Sequence, residues 1–490
     1  MDRTRVFLLI FIGILVQCES IPFDSPTYSA AVVEYHKIRF STNPEKEATT
    51  NLNAYIELIQ NTTDVDIIIF PESTLNNYET GETFDVNPRQ IPCGNDSFGK
   101  IINQISCASK NTKKYVSINL VETSLCPDQQ QIEFNDTRPC PSDRINKYNT
   151  NVVFDRNGAI ISKYRKFNLY GEREVIHPLY PEAVTFETDF GVTFGHIICF
   201  DILFSEPTMD LILKKGITDL IFPSMWFSKA PFLTASQIQQ SFAYANDINL
   251  LAAGASDPII GSTGTGIYHG RKGALVSVMS HEPRSKVYKT IVPKMRGSNT
   301  VNPPSIQAPE RSTPTQMLNL FLKKDNTEPF TTIELTTEGQ IQQKLCNGIF
   351  CCYFDVTLQF TNSTSENKYQ YRLIAYDGLR TYKREAVQIC AILACSSSDV
   401  NSCGQRFTAT NVDYNSVLFK NIKIETTIQW KNVLVMPSSL DFSILPYDVN
   451  DFNLIDSETA DGFYSKLELT TSKNDIYCFG LYVRNYDGDR

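Results

Sequence analysis

From residue 28 to about residue 292, short apolar, β-branched runs alternate with longer stretches whose apolar residues recur at helical spacing. The runs predict strands at 29–33, 65–70, 115–121, 151–155, 192–199, 218–222 and 249–253. The stretches between them predict helices at 45–60, 97–112, 207–215 and 236–248. Strands that alternate with helices imply an α/β layered domain. One pair of runs departs from that rhythm. Residues 151–154 and 160–164 flank Asp155-Arg156-Asn157-Gly158, and the Asn-Gly pair predicts a two-residue hairpin turn, because both residues tolerate positive φ. An antiparallel hairpin inside the sheet excludes a purely parallel doubly wound fold.

The texture changes over residues 296–315, where Pro303, Pro304, Pro309 and Pro314 interrupt a polar segment with little apolar periodicity, as in a linker. Beyond it, runs at 353–360, 369–375, 419–428 and 466–470 alternate or are β-rich. The expected organisation is an α/β domain over 21–295 and a smaller β-rich domain over 316–490.

The amino terminus decides the compartment. Arg3 and Arg5 precede an apolar run over residues 6–16, followed by Cys18, Glu19 and Ser20. This predicts a secretory signal peptide over residues 1–20, since the run falls short of the ~20 residues that span a bilayer. No other segment is apolar for long enough, and residues 476–490 lack the hydrophobic tail of a lipid-anchor signal. A free secreted protein is expected, with Asn61, Asn95, Asn135 and Asn362 opening glycosylation sequons.

Composition narrows the field further. Of the 490 residues, 42% are hydrophobic and 20% charged, which excludes a disordered or fibrous chain. With 45 Lys plus Arg against 54 Asp plus Glu, the net charge of −9 gives no footprint for a nucleic-acid backbone. Thirteen cysteines in an exported chain imply structural disulfides. Cys18 leaves with the signal peptide, and Cys93, Cys107, Cys126 and Cys140 form two possible bridges in the first domain. Seven cysteines lie beyond the linker, so one of them is left free or bridges elsewhere.

Three segments carry candidate chemistry. Glu72 follows the run Asp66-Ile67-Ile68-Ile69-Phe70-Pro71 and so stands at the carboxyl edge of a strand, where α/β sheets place catalytic groups. Cys199 ends the run Gly195-His196-Ile197-Ile198, and a thiol at such a turn lies near backbone N–H groups that lower its pKa. Lys166 sits just after the hairpin, and its ammonium suits both a thiolate and a tetrahedral oxyanion.

Together these segments resemble the nitrilase superfamily of carbon–nitrogen hydrolases, whose signature is Glu, Lys and Cys in that chain order. The similarity is closer to the biotinidase and vanin (pantetheinase) branch. Its carriers are the Phe70-Pro71-Glu72 strand end, Tyr164-Arg165-Lys166-Phe167-Asn168-Leu169, Cys199-Phe200-Asp201-Ile202-Leu203-Phe204, Phe222-Pro223-Ser224-Met225-Trp226 and Gly264-Thr265-Gly266-Ile267-Tyr268. The resemblance implies an αββα-layered domain and hydrolysis of a small linear amide through a cysteine thioester, without cofactor or metal. It assigns Cys199 as nucleophile, Glu72 as proton acceptor, and Lys166 as oxyanion donor with the Phe200 backbone N–H. Glu172 corresponds to a supporting glutamate, and Trp226 and Tyr268 are candidate walls of the acyl pocket. Pantetheine is the leading substrate and biotin amides the alternative; a monomer is expected, because the second domain covers the surface that other members use to assemble.

Two rival chemistries use the same residues differently. A cysteine–histidine hydrolase needs one of His36, His177, His196, His269 or His281 beside Cys199, and a zinc site needs ligand spacing that Cys351, Cys352, Cys390, Cys395 and Cys403 do not offer. A non-catalytic binding ectodomain is the third reading, against which all three triad positions are occupied.

Overall fold

The computed structural model describes residues 25–295, 311–380, 384–409, 411–460 and 462–489. The expected signal peptide and most of the expected linker lie outside the described residues. The first domain begins β1 (Thr27–Glu34), α1 (Pro44–Asn61), β2 (Ile67–Ile69), α2 (Lys100–Thr112), β3 (Tyr115–Leu125), α3 (Gln129–Glu133), β4 (Ile145–Phe154) and β5 (Ile160–Arg165). It continues β6 (Thr185–Glu187), β7 (Thr193–His196), β8 (Asp219–Ser224), β9 (Lys229–Ala230), α4 (Ala235–Asn246), β10 (Asn249–Gly254), β11 (Thr265–His269), β12 (Ala274–Val278) and β13 (Lys286–Pro293).

Two six-stranded sheets result, ordered β13-β1-β2-β3-β4-β5 and β12-β11-β10-β8-β7-β6. Each mixes parallel strands, such as β1 with β2 and β8 with β10, with antiparallel neighbours. The strand period of two explains why both parities of β1 are apolar. Tyr28, Ala30 and Val32 face the second sheet and join Phe194, Ile221 and Leu251 in the core between the sheets. Ala31 and Val33 face the other way, onto Leu52 and Tyr55 of α1 and Ile102 and Ile105 of α2. With α4 against the outer face of the second sheet, the layers read αββα. Full burial of each large apolar side chain stabilises this stack by roughly 1.5–3 kcal/mol.

Three local expectations are corrected. The strand expected at 192–199 stops at His196, and Cys199 opens a 3-10 turn, Cys199–Leu203. The helix expected at 207–215 contains a single π turn, Asp210–Lys214. The hairpin turn is longer than the Asn-Gly pair suggests, because only Gly158 takes positive φ. The Asp155 carboxylate accepts from the amides of Asn157 (2.8 Å) and Ala159 (2.9 Å), which stabilises a wider loop. Gly158 is required there on a second count: a Cβ would stand 2.5 Å from the Ser106 carbonyl oxygen of α2.

The second domain comprises β14 (Lys323–Lys324), β15 (Thr331–Glu334), β16 (Gly339–Asn347), β17 (Phe350–Phe360), β18 (Gln370–Arg380), β19 (Glu385–Cys395), β20 (Val417–Ile428), β21 (Val433–Asp441), β22 (Phe452–Thr459), β23 (Gly462–Leu469) and β24 (Ile476–Asn485). Its two five-stranded sheets, β15-β18-β19-β24-β21 and β16-β17-β20-β23-β22, share one apolar core. That core runs on into the first domain through α4, whose residues from Ala235 to Tyr244 are all buried. Polar side chains on α4 meet the second domain's backbone and side chains: Gln237 bonds the Ser438 hydroxyl (2.9 Å), Gln240 the Tyr447 carbonyl (2.7 Å) and Ser241 the Pro437 carbonyl (2.6 Å).

Disulfides join Cys93–Cys107, Cys126–Cys140, Cys346–Cys351, Cys352–Cys390 and Cys395–Cys403. The odd cysteine is Cys478, a free thiol buried in β24. Among the described residues, no helix is long and apolar enough to cross a membrane.

Candidate active site

Glu72 leaves the carboxyl edge of β2 and is buried. Lys166 directly follows β5, and its backbone N–H still bonds the Asn149 carbonyl of β4 at 2.9 Å, so the ladder fixes where its side chain starts. The Lys166 ammonium donates to Glu72 Oε1 at 2.7 Å and also to Glu172 Oε1. Asn149 braces both acids, its amide donating to Glu72 Oε1 and to Glu172 Oε2, each at 2.8 Å. The second Glu72 oxygen accepts from the Met225 N–H at 2.8 Å. Glu72 is therefore fixed from the sides of both sheets.

Cys199 adopts φ 48°, a conformation that costs a non-glycine residue roughly 1–3 kcal/mol. Buried Asp201 holds it there. Its carboxylate accepts from the Ile198 N–H (3.1 Å), the Asn168 N–H (2.9 Å) and amide (3.0 Å), and the Tyr164 hydroxyl (2.8 Å). One carboxylate thus ties the segment that carries Lys166 to the turn that carries Cys199. Phe200 is the second residue of this turn, and the first amides of a helical turn have no partner within it.

Electrostatics correct the expected lowering of the thiol pKa. Burial pushes the Cys199 thiol well above its ordinary value, the Glu72 carboxylate pushes it the same way, and Lys166 only partly opposes them. Both influences favour the neutral thiol of Cys199 over its thiolate. Burial disfavours the Lys166 ammonium, but Glu72 and Glu172 outweigh it and raise its pKa well above the lysine value. Burial likewise opposes the charge of Glu172, yet Lys166 and Asn149 hold it below the usual glutamate value. Asp201 is pushed up to about 6 by burial.

The histidines are engaged elsewhere. His196 lies between Asn151 (3.0 Å) and Ser162 (2.9 Å), with its pKa lowered to about 3 by burial. His36, His177, His269 and His281 bond to Ser256, Pro178, Asn249 and Ser312. The cysteines of the zinc reading, Cys351, Cys352, Cys390, Cys395 and Cys403, are all disulfide-bonded.

Two cavities meet at Cys199, sharing Tyr170, Met225 and Phe227 as walls. The polar one, about 410 Å³, contains Glu72, Lys166 and Glu172. The apolar one, about 380 Å³, is walled by Phe200, Leu203, Trp226 and Leu233. Trp226 lines it, with its indole N–H bonded to the Leu233 carbonyl at 2.9 Å. Tyr268 does not. It is fully buried behind α4, its hydroxyl bonded to Gln239 and Ser277.

Sequence reasoning missed Asn149, Asp201 and a wall from beyond the linker, Phe321 with Lys323 and Lys324. Asn149 left only a faint signal, one polar residue among Asn146, Lys147, Thr150 and Asn151 of its strand. The wall left none.

Residues 29–282 match the carbon–nitrogen hydrolase family and residues 320–489 the vanin C-terminal domain. The chain is 39% identical to vanin-like protein 1 of Drosophila melanogaster, over 95% of this chain and 87% of that protein. It is 31% identical to the pantetheinase of Mus musculus, covering 81% and 73% of the two chains, and 30% identical to the biotinidase of Takifugu rubripes, covering 77% and 81%. On these matches the chain belongs to the carbon–nitrogen hydrolases, in the branch of the vanins and biotinidases, and acts on amide bonds.

Proposed function

We propose that the protein is a secreted hydrolase of linear carboxamides that works through a Cys199 thioester, with pantetheine as substrate, giving pantothenate and cysteamine. The observation that carries this reading is the convergence of Glu72, Lys166 and Cys199 on one buried point. Cys199 Sγ attacks the amide carbon while its proton passes to the Glu72 carboxylate. The oxyanion is held by the Lys166 ammonium and the Phe200 N–H. As the C–N bond breaks, the Glu72 carboxylic acid returns that proton to the departing amine. Glu72 then takes a proton from water, the hydroxyl adds to the thioester, and the acid leaves as the proton returns to Cys199. Glu172 acts by holding the lysine.

Likeness to the mouse pantetheinase supports pantetheine, and likeness to the fish biotinidase supports biotin amides as the second reading. Five disulfides accord with export. Asn61, Asn135 and Asn362 are exposed and Asn95 is half-buried, so each is within reach of glycosylation. Because the second domain covers α4, a monomer is the proposed state. No cofactor or metal enters these steps. The test is release of cysteamine from pantetheine and of lysine from biocytin, by wild type and by Cys199→Ala. Cysteamine release that Cys199→Ala abolishes is the expected result; turnover of neither compound overturns the substrate assignment.

A further inference from the structure

The apolar cavity ends in a feature that a neutral acyl group does not use. Its lining includes three lysines, Lys229, Lys323 and Lys324, and no carboxylate. Lys229 is paired with Asp325 at 2.7 Å. Among the described residues, no carboxylate pairs with Lys323 or Lys324.

These two lysines are held in place by backbone. β14 runs parallel to β9, with Lys323 opposite Lys229 and Lys324 opposite Ala230. The Lys323 N–H bonds the Ser228 carbonyl at 3.0 Å, and the Asp325 N–H bonds the Ala230 carbonyl at 2.9 Å. The Lys323 ammonium lies 5.7 Å from the Tyr170 ring centre and 5.3 Å from that of Phe227, two rings that wall the cavity beside Cys199. Cation–π attraction keeps its charge over the cavity rather than out in solvent.

Chemistry decides which half of a substrate meets these charges. The leaving nitrogen takes its proton from Glu72, and Glu72 opens on the polar cavity, not on the apolar one. The acyl chain bonded to Cys199 is left with the apolar cavity, its far end directed to Lys323 and Lys324. We infer that the preferred substrates are amides whose acyl group ends in an anion, a phosphate monoester or a carboxylate, and that Lys323 and Lys324 determine this preference. The inference rests on the amide-hydrolase reading of Cys199 and refines its substrate: pantetheine, whose acyl group ends in a neutral hydroxyl, is turned over but is the weaker substrate beside an anion-terminated one.

Two substrate pairs differ only in that terminus. One is pantetheine against its 4′-phosphate. The other is the mono-p-nitroanilide of a straight-chain dicarboxylic acid against its methyl ester. The wild type is expected to favour the anion of at least one pair by about tenfold in kcat/KM, the scale of one charge-assisted hydrogen bond. The double variant Lys323→Gln/Lys324→Gln is expected to bring that ratio close to one. The pair that responds identifies phosphate or carboxylate as the group recognised. Equal or reversed preference in the wild type, or a preference that survives in the double variant, overturns the inference. Calorimetric binding to Cys199→Ala protein, with and without the two lysine substitutions, separates this failure from failure of the function. Lysine-dependent tighter binding of the anion without any turnover refutes the hydrolase reading and leaves the site standing. Equal affinities refute the site.

Discussion

Replacing Lys166 with Met removes the cation that bridges buried Glu72 and half-buried Glu172. In the wild type, the raised Lys166 pKa contributes stability below pH ~10.5 that is lost only as pH rises through the higher folded value. The depressed Glu172 pKa contributes stability above pH ~4.5 that is lost as pH falls through the lower folded value. Between these limits the cluster adds no slope to stability. Without the ammonium, Glu72 and Glu172 keep only neutral donors, the shared Asn149 amide and the N–H groups of Met225 and Tyr170, so one of them is forced to keep a proton and its folded pKa rises. Its penalty then grows with pH, by about 1.4 kcal/mol per pH unit until the folded pKa is reached. Breaking a buried pair costs roughly 3–5 kcal/mol, and that full loss belongs at pH 8. At pH 5 much of it is relieved by protonation. Urea unfolding of wild type and Lys166→Met at pH 5, 6.5 and 8 measures this directly, with Lys166→Met/Glu172→Gln expected to recover much of the loss at pH 8. The kcat of Lys166→Met falls at least about 10²-fold, because the proposed oxyanion donor is gone. Parallel stability profiles for Lys166→Met and wild type across this pH range, or no recovery in the double variant, would refute the coupling of the three charges.

Three further outcomes follow from groups outside that cluster. His196 is buried neutral with its pKa lowered to about 3, so stability falls by about 1.4 kcal/mol per pH unit below pH ~6.5; His196→Gln removes that slope in acid denaturation, and an unchanged slope refutes it. Of the two free thiols among the described residues, Cys199 opens on both cavities and Cys478 on neither, so iodoacetamide modifies Cys199 and spares Cys478 in native protein and modifies both after unfolding. Peptide mapping reads this, and native labelling of Cys478 counts against the burial described. Arg484 of the second domain is fully buried, donating to the Leu203 carbonyl at 2.8 Å and to Asp489 at 2.7 Å; Arg484→Met costs roughly 3–5 kcal/mol and lowers kcat more than it raises KM, since Leu203 closes the nucleophile's turn.

What the sequence disclosed depended on whether a residue's role shows in its immediate neighbours. Ile67-Ile68-Ile69 before Phe70-Pro71-Glu72 reads as a doubly buried strand delivering an acid to its end, and it is one. Ile197-Ile198-Cys199 reads as the same device, but the strand stops before it, because Asp201 claims the Ile198 amide and turns the chain. That carboxylate draws on Tyr164 and Asn168, which lie far away in sequence. Trp226 and Tyr268 look alike as aromatics in glycine- or proline-marked segments. Strand parity separates them: Ile267 faces the core between the sheets, so Tyr268 faces α4. The register of β11 against β10 fixes that parity, and no local pattern specifies it.

The second domain supports the proposed catalytic site in a physical sense that its β-rich sequence does not announce. It grips the turn that carries Cys199 at both ends. Arg484 holds the Leu203 carbonyl, and the Arg384 guanidinium lies 5.8 Å from the Phe200 ring centre and 4.7 Å from that of Phe204. Its first strand, β14, completes the apolar cavity by pairing with β9. In return, α4 gives it Gln237, Gln240 and Ser241, side chains that satisfy its backbone and side-chain polar groups in a shared apolar core. Separating the domains leaves those groups unpaired and an apolar face open, at a cost of about 1–3 kcal/mol for each buried polar group that finds no partner. The strained φ of Cys199 requires support of this kind: a turn held by one carboxylate inside its own domain and by two guanidinium groups from the next has little freedom to relax.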